Sequence, residues 1–242
     1  NFELLALYNN SWGNFDFNAT LGGNLYKVNN QTIVTTAKDM KIRDVVALMS
    51  FNEVSVEPYS YRKQINSIYG AVNLGWKHML YFDATLRGDQ SSTLPISNNM
   101  YIYPSFSGSF VFSELLKLGD KLPYGKVRMS WAQVGSDTDP YQLGLVYTKS
   151  KFAYPGYTIG YISNGTIPNK DLKPTKTNSF EMGLELKFLK NRIGLDFTYY
   201  SQLSKNQIMG MASSSTSGYG YRLINAGEIE NKGVEIALNT RP

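Results

Sequence analysis

Apolar side chains recur at every second residue in segments of about ten residues, and that period builds a sheet with two unlike faces. Phe180, Met182, Leu184, Leu186 and Phe188 alternate with Glu181, Gly183, Glu185 and Lys187. Ile193, Leu195, Phe197 and Tyr199 alternate with Gly194, Asp196, Thr198 and Tyr200. Phe15, Phe17, Ala19 and Leu21 repeat the pattern, as do Leu80, Phe82, Ala84 and Leu86. With further strands over 2–10, 63–76, 103–115, 125–136 and 221–240, the reading is all-β with nine strands.

The connections narrow the architecture. Short links at 11–13, 77–79, about 116–124 and 190–191 alternate with long ones at 28–62, 92–102, 137–175 and 206–220. Consecutive strands therefore form an antiparallel meander with every long loop at one rim. Loops of that length are uncommon in compact domains, whereas tight periplasmic turns opposite long extracellular loops are the plan of a transmembrane barrel. A short helix over 38–49 is expected within the first long loop. Nine is odd where single-chain bacterial barrels have an even number, so the strands are expected to be a segment of a larger barrel.

Composition removes the other classes. The chain has 242 residues with 18 Tyr, 12 Phe and only 18% charged residues, too aromatic and too weakly charged for disorder. Its apolar runs, such as Leu4 to Leu7 and Val45 to Met49, fall far short of the ~18 residues of a spanning helix. A net charge of +5 is scattered without a basic stripe, which argues against a nucleic-acid partner. Zero cysteines exclude disulfides and thiolate chemistry. Asn1 to Leu5 reads as the inside of a strand, so a signal peptide is expected to lie upstream.

Four stretches carry a family resemblance. Residues 101–115, from Tyr101 through Pro104, Phe106, Phe110 and Phe112 to Leu115, resemble the YPS-x-S-x-SFVFSEL strand of SusC/RagA-type outer-membrane importers of Bacteroidetes. Residues 126–141, with Arg128, Trp131, Gly135, Asp137 and Pro140, resemble that family's K-x-R-x-S-W-A-x-V-G-x-D-T-x-P-Y segment. Residues 169–183 resemble its N-x-x-LKPE-x-T-x-SFE-x-G element, with Thr175 where Glu is usual. Residues 225–236 are similar to the N-x-G-x-x-x-N-x-G-V-E strand of TonB-dependent receptors. The likeness runs from about residue 61 onward.

The resemblance implies one part of a TonB-dependent receptor β-barrel domain in the outer membrane, with the plug domain, TonB box and signal peptide outside residues 1–242. It also implies TonB-energised import of oligosaccharides, glycans or peptides beside a SusD-like surface lipoprotein. A soluble carbohydrate-binding all-β module is the alternative, and it would need short loops at both ends of the sheet. Phe180, Met182, Leu184, Leu186, Ile193, Leu195 and Phe197 are expected to face lipid, with Glu181, Glu185, Lys187 and Asp196 facing the lumen. Phe106, Gly108, Phe110 and Phe112 are likewise expected outward, and Ser105, Ser107, Ser109, Ser113 and Glu114 inward. Aromatics near strand ends, among them Trp12, Trp76, Tyr101, Tyr103, Trp131 and Tyr200, suit interfacial girdles.

Enzymatic chemistry lacks its parts. His78 is the single histidine and falls in a predicted turn, so neither a His-based triad nor a multi-histidine metal site can be assembled. No cofactor is expected. Asp137 and Asp139 suit a hard cation by their spacing, and a capped turn by their Gly, Ser and Pro neighbours. Gly227 and Gly233 suit bends or close approaches. In the loop over 137–175, Phe152, Tyr154, Tyr157 and Tyr161 are the candidate contacts, either with the lipoprotein lid or with cargo, and a girdle is the third reading.

Overall fold

The computed structural model describes residues 1–116, 119, 122–149, 157, 159–162 and 165–241. Its frame is one antiparallel sheet of nine strands. Six follow one another directly: β1 (Phe2–Trp12), β2 (Phe15–Met40), β3 (Phe51–Trp76), β4 (Leu80–Ser91), β5 (Met100–Val111) and β6 (Tyr124–Ser136). Three short strands then sit in loop segments: β7 (Tyr147–Lys149), β8 (Gly160–Ile162) and β9 (Thr166–Ile167). The frame resumes with β10 (Thr175–Phe188) and β11 (Ile193–Lys205), breaks for β12 (Ile208–Ala212) and β13 (Tyr221–Asn225), and ends in β14 (Glu228–Thr240). The sheet order is β1-β2-β3-β4-β5-β6-β10-β11-β14, so each long excursion returns to pair beside the strand it left.

Directly opposed residues share a face, so a register row can be followed across the sheet. Trp12, Phe15, Trp76, Leu80, Phe110, Val127, Leu184, Phe197 and Ile236 form one such row. Three residues along each strand, Asn9, Asn18, Asn73, Asp83, Ser107, Ser130, Glu181, Tyr200 and Gly233 form a row on the opposite face. The apolar face stays uncovered: Leu21 is 61% exposed and Ile68 66%, with no second sheet of comparable size among the described residues. In water a face like this would be covered.

The tight turns set the lower rim. Lys77 and His78 both take positive φ, 51° and 55°, and Met79 N–H closes the turn onto the Trp76 carbonyl at 3.0 Å. Lys190 and Asn191 repeat this between β10 and β11, with Arg192 N–H on the Leu189 carbonyl. Positive φ at both central residues matches the right-handed strand twist, which is why such two-residue turns join neighbouring strands.

Several sequence expectations are corrected. Residues 28–62 are not an open loop: β2 and β3 run 26 residues each and stay paired to Met40 opposite Phe51, far past the Ser91 end of β4. The helix expected over 38–49 is absent, and only a 3-10 turn, Leu48–Ser50, stands there. β5 stops at Val111, and Phe112–Leu116 form a short helix, α1, so Phe112, Ser113 and Glu114 belong to neither strand face. The cause is local: Val111 N–H donates to Met79 at the turn, and the Phe112 ring folds over Gly125. The strand expected over 221–240 is two strands in different sheets, parted at Gly227, whose φ is 82°.

Candidate site on the polar face

On the apolar face Phe180, Met182, Leu184, Leu186, Ile193, Leu195 and Phe197 lie together, and Glu181, Glu185, Lys187 and Asp196 lie opposite, as their alternation predicts. Phe106 stacks on Trp131 at 6.1 Å, and Phe15 meets Trp76 at 6.4 Å beside the tight turns.

The polar face is wired across strands. Asp83 accepts from Asn73 Nδ2 at 2.6 Å and from Ser107 Oγ at 2.9 Å. Arg87 donates to Asp89 at 2.9 Å and to Ser67 at 2.9 Å, while the Tyr103 hydroxyl donates to Asp89. Arg128 grips Asp196 with two nitrogens, at 2.7 and 3.0 Å, and also reaches Thr198. A fork of this kind fixes geometry as well as charge. Tyr101, Tyr103 and Tyr200 belong to this face, not to a girdle: the Tyr101 ring covers Gly135 and the Tyr200 ring covers Gly233, where a Cβ would collide. Gly233 is thus a close-approach glycine.

Above the tops of β4 to β6 the long connections fold inward onto this face. Leu172 is fully buried and Leu94 is 3% exposed, and they pack on Tyr101 with Tyr103, Leu143, Ile208 and Leu223 around them. Asn225 ties the layer together, accepting from Lys173 N–H and donating to the carbonyls of Lys173 and Asn206. Asp137 is the second tie. It accepts from Lys63 Nζ at 2.7 Å, Ser91 Oγ at 2.5 Å and Thr93 Oγ1 at 3.2 Å. That bonding makes Asp137 an anchor between three chain segments. Among the described residues no group of acidic or histidine side chains is placed to hold a metal ion.

Between this loop layer and the tall β2–β3 ribbon lie two adjoining clefts that share Lys63 and Asp139. One, of about 500 Å³, is bordered by Ser136, Thr138, Thr175, Thr177 and Gln207. The other, of about 480 Å³, is bordered by Tyr26, Val28, Tyr61, Ile65 and Pro140. Local sequence pattern does not reveal this site, because by periodicity Tyr26 falls at a strand end and Tyr61 in a long link. Of the four aromatic candidates, Phe152 and Tyr154 lie outside the described residues. Tyr157 is 73% exposed, and Tyr161, in β8 opposite Thr148, is 49% exposed. Neither borders the clefts. His78 sits in its turn with an 85% exposed side chain, 3.9 Å from Asp16.

A continuous antiparallel sheet, apolar on one face and polar with inward-folded loops on the other, is a sector of a membrane β-barrel wall. The family model described as TonB dependent receptor-like, beta-barrel matches residues 2–241, and the chain belongs to that family. It is 26% identical to TonB-dependent receptor P3 of Formosa agariphila over 99% of this chain and 24% of that protein. It is 27% identical to TonB-dependent receptor SusC of Bacteroides thetaiotaomicron over 76% of this chain and 19% of that one. A structure of the RagAB peptide transporter superposes with a TM-score of 0.86 over 98% of this chain and 27% of that chain, at 21% identity. The chain therefore spans at most about a quarter of the length of these curated relatives. The apolar face meets outer-membrane lipid, the polar face meets the lumen, and the loop rim is extracellular.

Proposed function

We propose that this chain is one part of the barrel domain of a receptor that imports oligosaccharides or peptides across the outer membrane, with plug domain and TonB box supplied by other parts of the protein. The observation that carries the reading is the single nine-stranded, two-faced sheet whose first and last strands stand at the two ends of the family match. A soluble carbohydrate-binding module would need its apolar face covered, and the described residues hold no second sheet of that size. The relatives' names, TonB-dependent receptor SusC and RagAB peptide transporter, support TonB-energised import, and the motif resemblance adds a SusD-like surface lipoprotein as lid.

In this reading the aromatic loop containing Phe152, Tyr154, Tyr157 and Tyr161 meets the lid, since Tyr157 and Tyr161 are exposed and aromatic rings carry large contact areas. Replacing Tyr154, Tyr157 and Tyr161 together by Ala should weaken co-purification of the lipoprotein while barrel assembly is unchanged. Unchanged co-purification with reduced uptake would move the loop to cargo binding. Solute uptake that persists without TonB would overturn the transport reading itself. In this reading the chain supplies no hydrolytic chemistry of its own, because its single histidine, His78, is exposed in a turn with Asp16 3.9 Å away. Purified receptor that cleaved a glycan or peptide and lost that activity on His78→Ala would refute this.

A further inference from the structure

We propose that the paired clefts between the β2–β3 ribbon and the loop layer bind a neutral oligosaccharide, an assignment that rests on the transport reading and names its cargo class and a cargo site. Tyr26 and Tyr61 are held on the lumenal face of two paired strands, so their rings are positioned by the sheet and not by loops. Within this sector of the wall neither ring is covered by the loop layer, and they are 43% and 39% exposed. Tyr59 continues the series on the same face of β3, two residues or ~7 Å from Tyr61. A strand-mounted row of rings offers flat apolar faces to successive sugar rings.

The other end of the cleft supplies the polar complement. Thr175, Thr177, Gln207 and Asp139 border it, and Asp139 has no hydrogen-bond partner among the described residues. A few placed hydroxyl, carboxamide and carboxylate groups beside an apolar wall are the means by which a pocket orients a polyhydroxylated ligand. Charge selects against anionic cargo. Lys63, the cation of the lining, is neutralised by Asp137 at 2.7 Å, which leaves Asp139 as the unbalanced charge.

Peptide capture by strand addition is disfavoured by the same wall. Beyond Gln64 the outer edge of β3 has no strand beside it among the described residues, and such an edge is a template for an extended peptide. Here it is blocked. Gln64 N–H donates to Ser92 Oγ at 2.9 Å, Arg62 N–H donates to Tyr141 Oη at 3.1 Å, and Pro58, on the same side of the strand, has no N–H to offer.

The test uses the full-length receptor with its lipoprotein, purified from outer membranes. Titration calorimetry would be run with neutral oligosaccharides from starch, mannan and xylan, an acidic oligogalacturonate, and an oligoserine peptide. A neutral oligosaccharide should bind, and the Tyr26→Ala, Tyr61→Ala double variant should bind it about tenfold or more weakly. The corresponding double Phe variant should bind as wild type, because ring faces and not hydroxyls make the contact. Heat-modifiable migration on gels would show that each variant barrel is folded. The proposal is overturned if none of the neutral sugars binds, if the acidic sugar or peptide binds instead, or if the Ala variant keeps full affinity. Failure of the transport reading would look different: uptake would no longer depend on TonB, whatever the variants bind.

Discussion

Asp137 accepts from Lys63, Ser91 and Thr93, and three stretches of chain meet on its one carboxylate. Ser91 is fully buried and Thr93 is 2% exposed, so neither hydroxyl has water to fall back on. The two hydroxyls also meet each other at 2.9 Å, so replacing Asp137 by Ala leaves one of the two buried donors without an acceptor, at about 1–3 kcal/mol. The expected outcome is faster hydrogen exchange over 92–99 and 137–146 with unchanged barrel migration on gels; unchanged exchange would mean the anchor is idle. On the lipid side a different rule applies. Leu184→Arg puts a charge on the lipid face and should cost ~2–4 kcal/mol of barrel stability, whereas Glu181→Arg, on the lumenal face, should cost much less. Equal losses in urea refolding into vesicles would reverse the assigned faces.

The β2–β3 ribbon shows why an element can leave no mark in local sequence. Its upper half, with Asn29, Asn30, Gln31 and Thr32 and later Thr35, Thr36 and Lys38, is wet on both faces, so no apolar alternation marks it. Pairing with β3 supplies the order that periodicity cannot. A two-stranded ribbon standing alone is marginal in water, and its tip leaves Val46 89% and Met49 84% exposed. Amides over 31–60 should therefore exchange faster than those over 15–25, which have strands on both sides. Shortening the ribbon from 32–59 to a tight turn should leave barrel assembly intact, and failure to assemble would show that the ribbon also helps fold the wall. The break at Gly227 is hidden for a related reason: Tyr221 to Asn225 is as strand-like as Glu228 to Thr240, and only the left-handed backbone at Gly227 sends it to another sheet.

At the scale of the molecule, period-two patterning and the spacing of tight turns determined the nine-stranded meander, its two faces and its sidedness. These are properties of short windows, set by the pleat and by turn chemistry, and a linear sequence displays them directly. The anchors Asp137 and Asn225, the buried Leu172 and the cleft beside Tyr26 and Tyr61 were decided by tertiary structure. Each joins segments that lie dozens of residues apart, as Lys63 and Asp137 do, and meets its partners only where the wall brings the strand tops together. Tyr101 and Tyr103 differ: their strand-end position suited a girdle, but their parity with Ser105 and Ser107, already legible in the alternation, turns them to the lumen, and only the buried cluster around Tyr101 was decided by tertiary structure. Local period chooses the face of a strand, and the packing of distant loops chooses what that face holds.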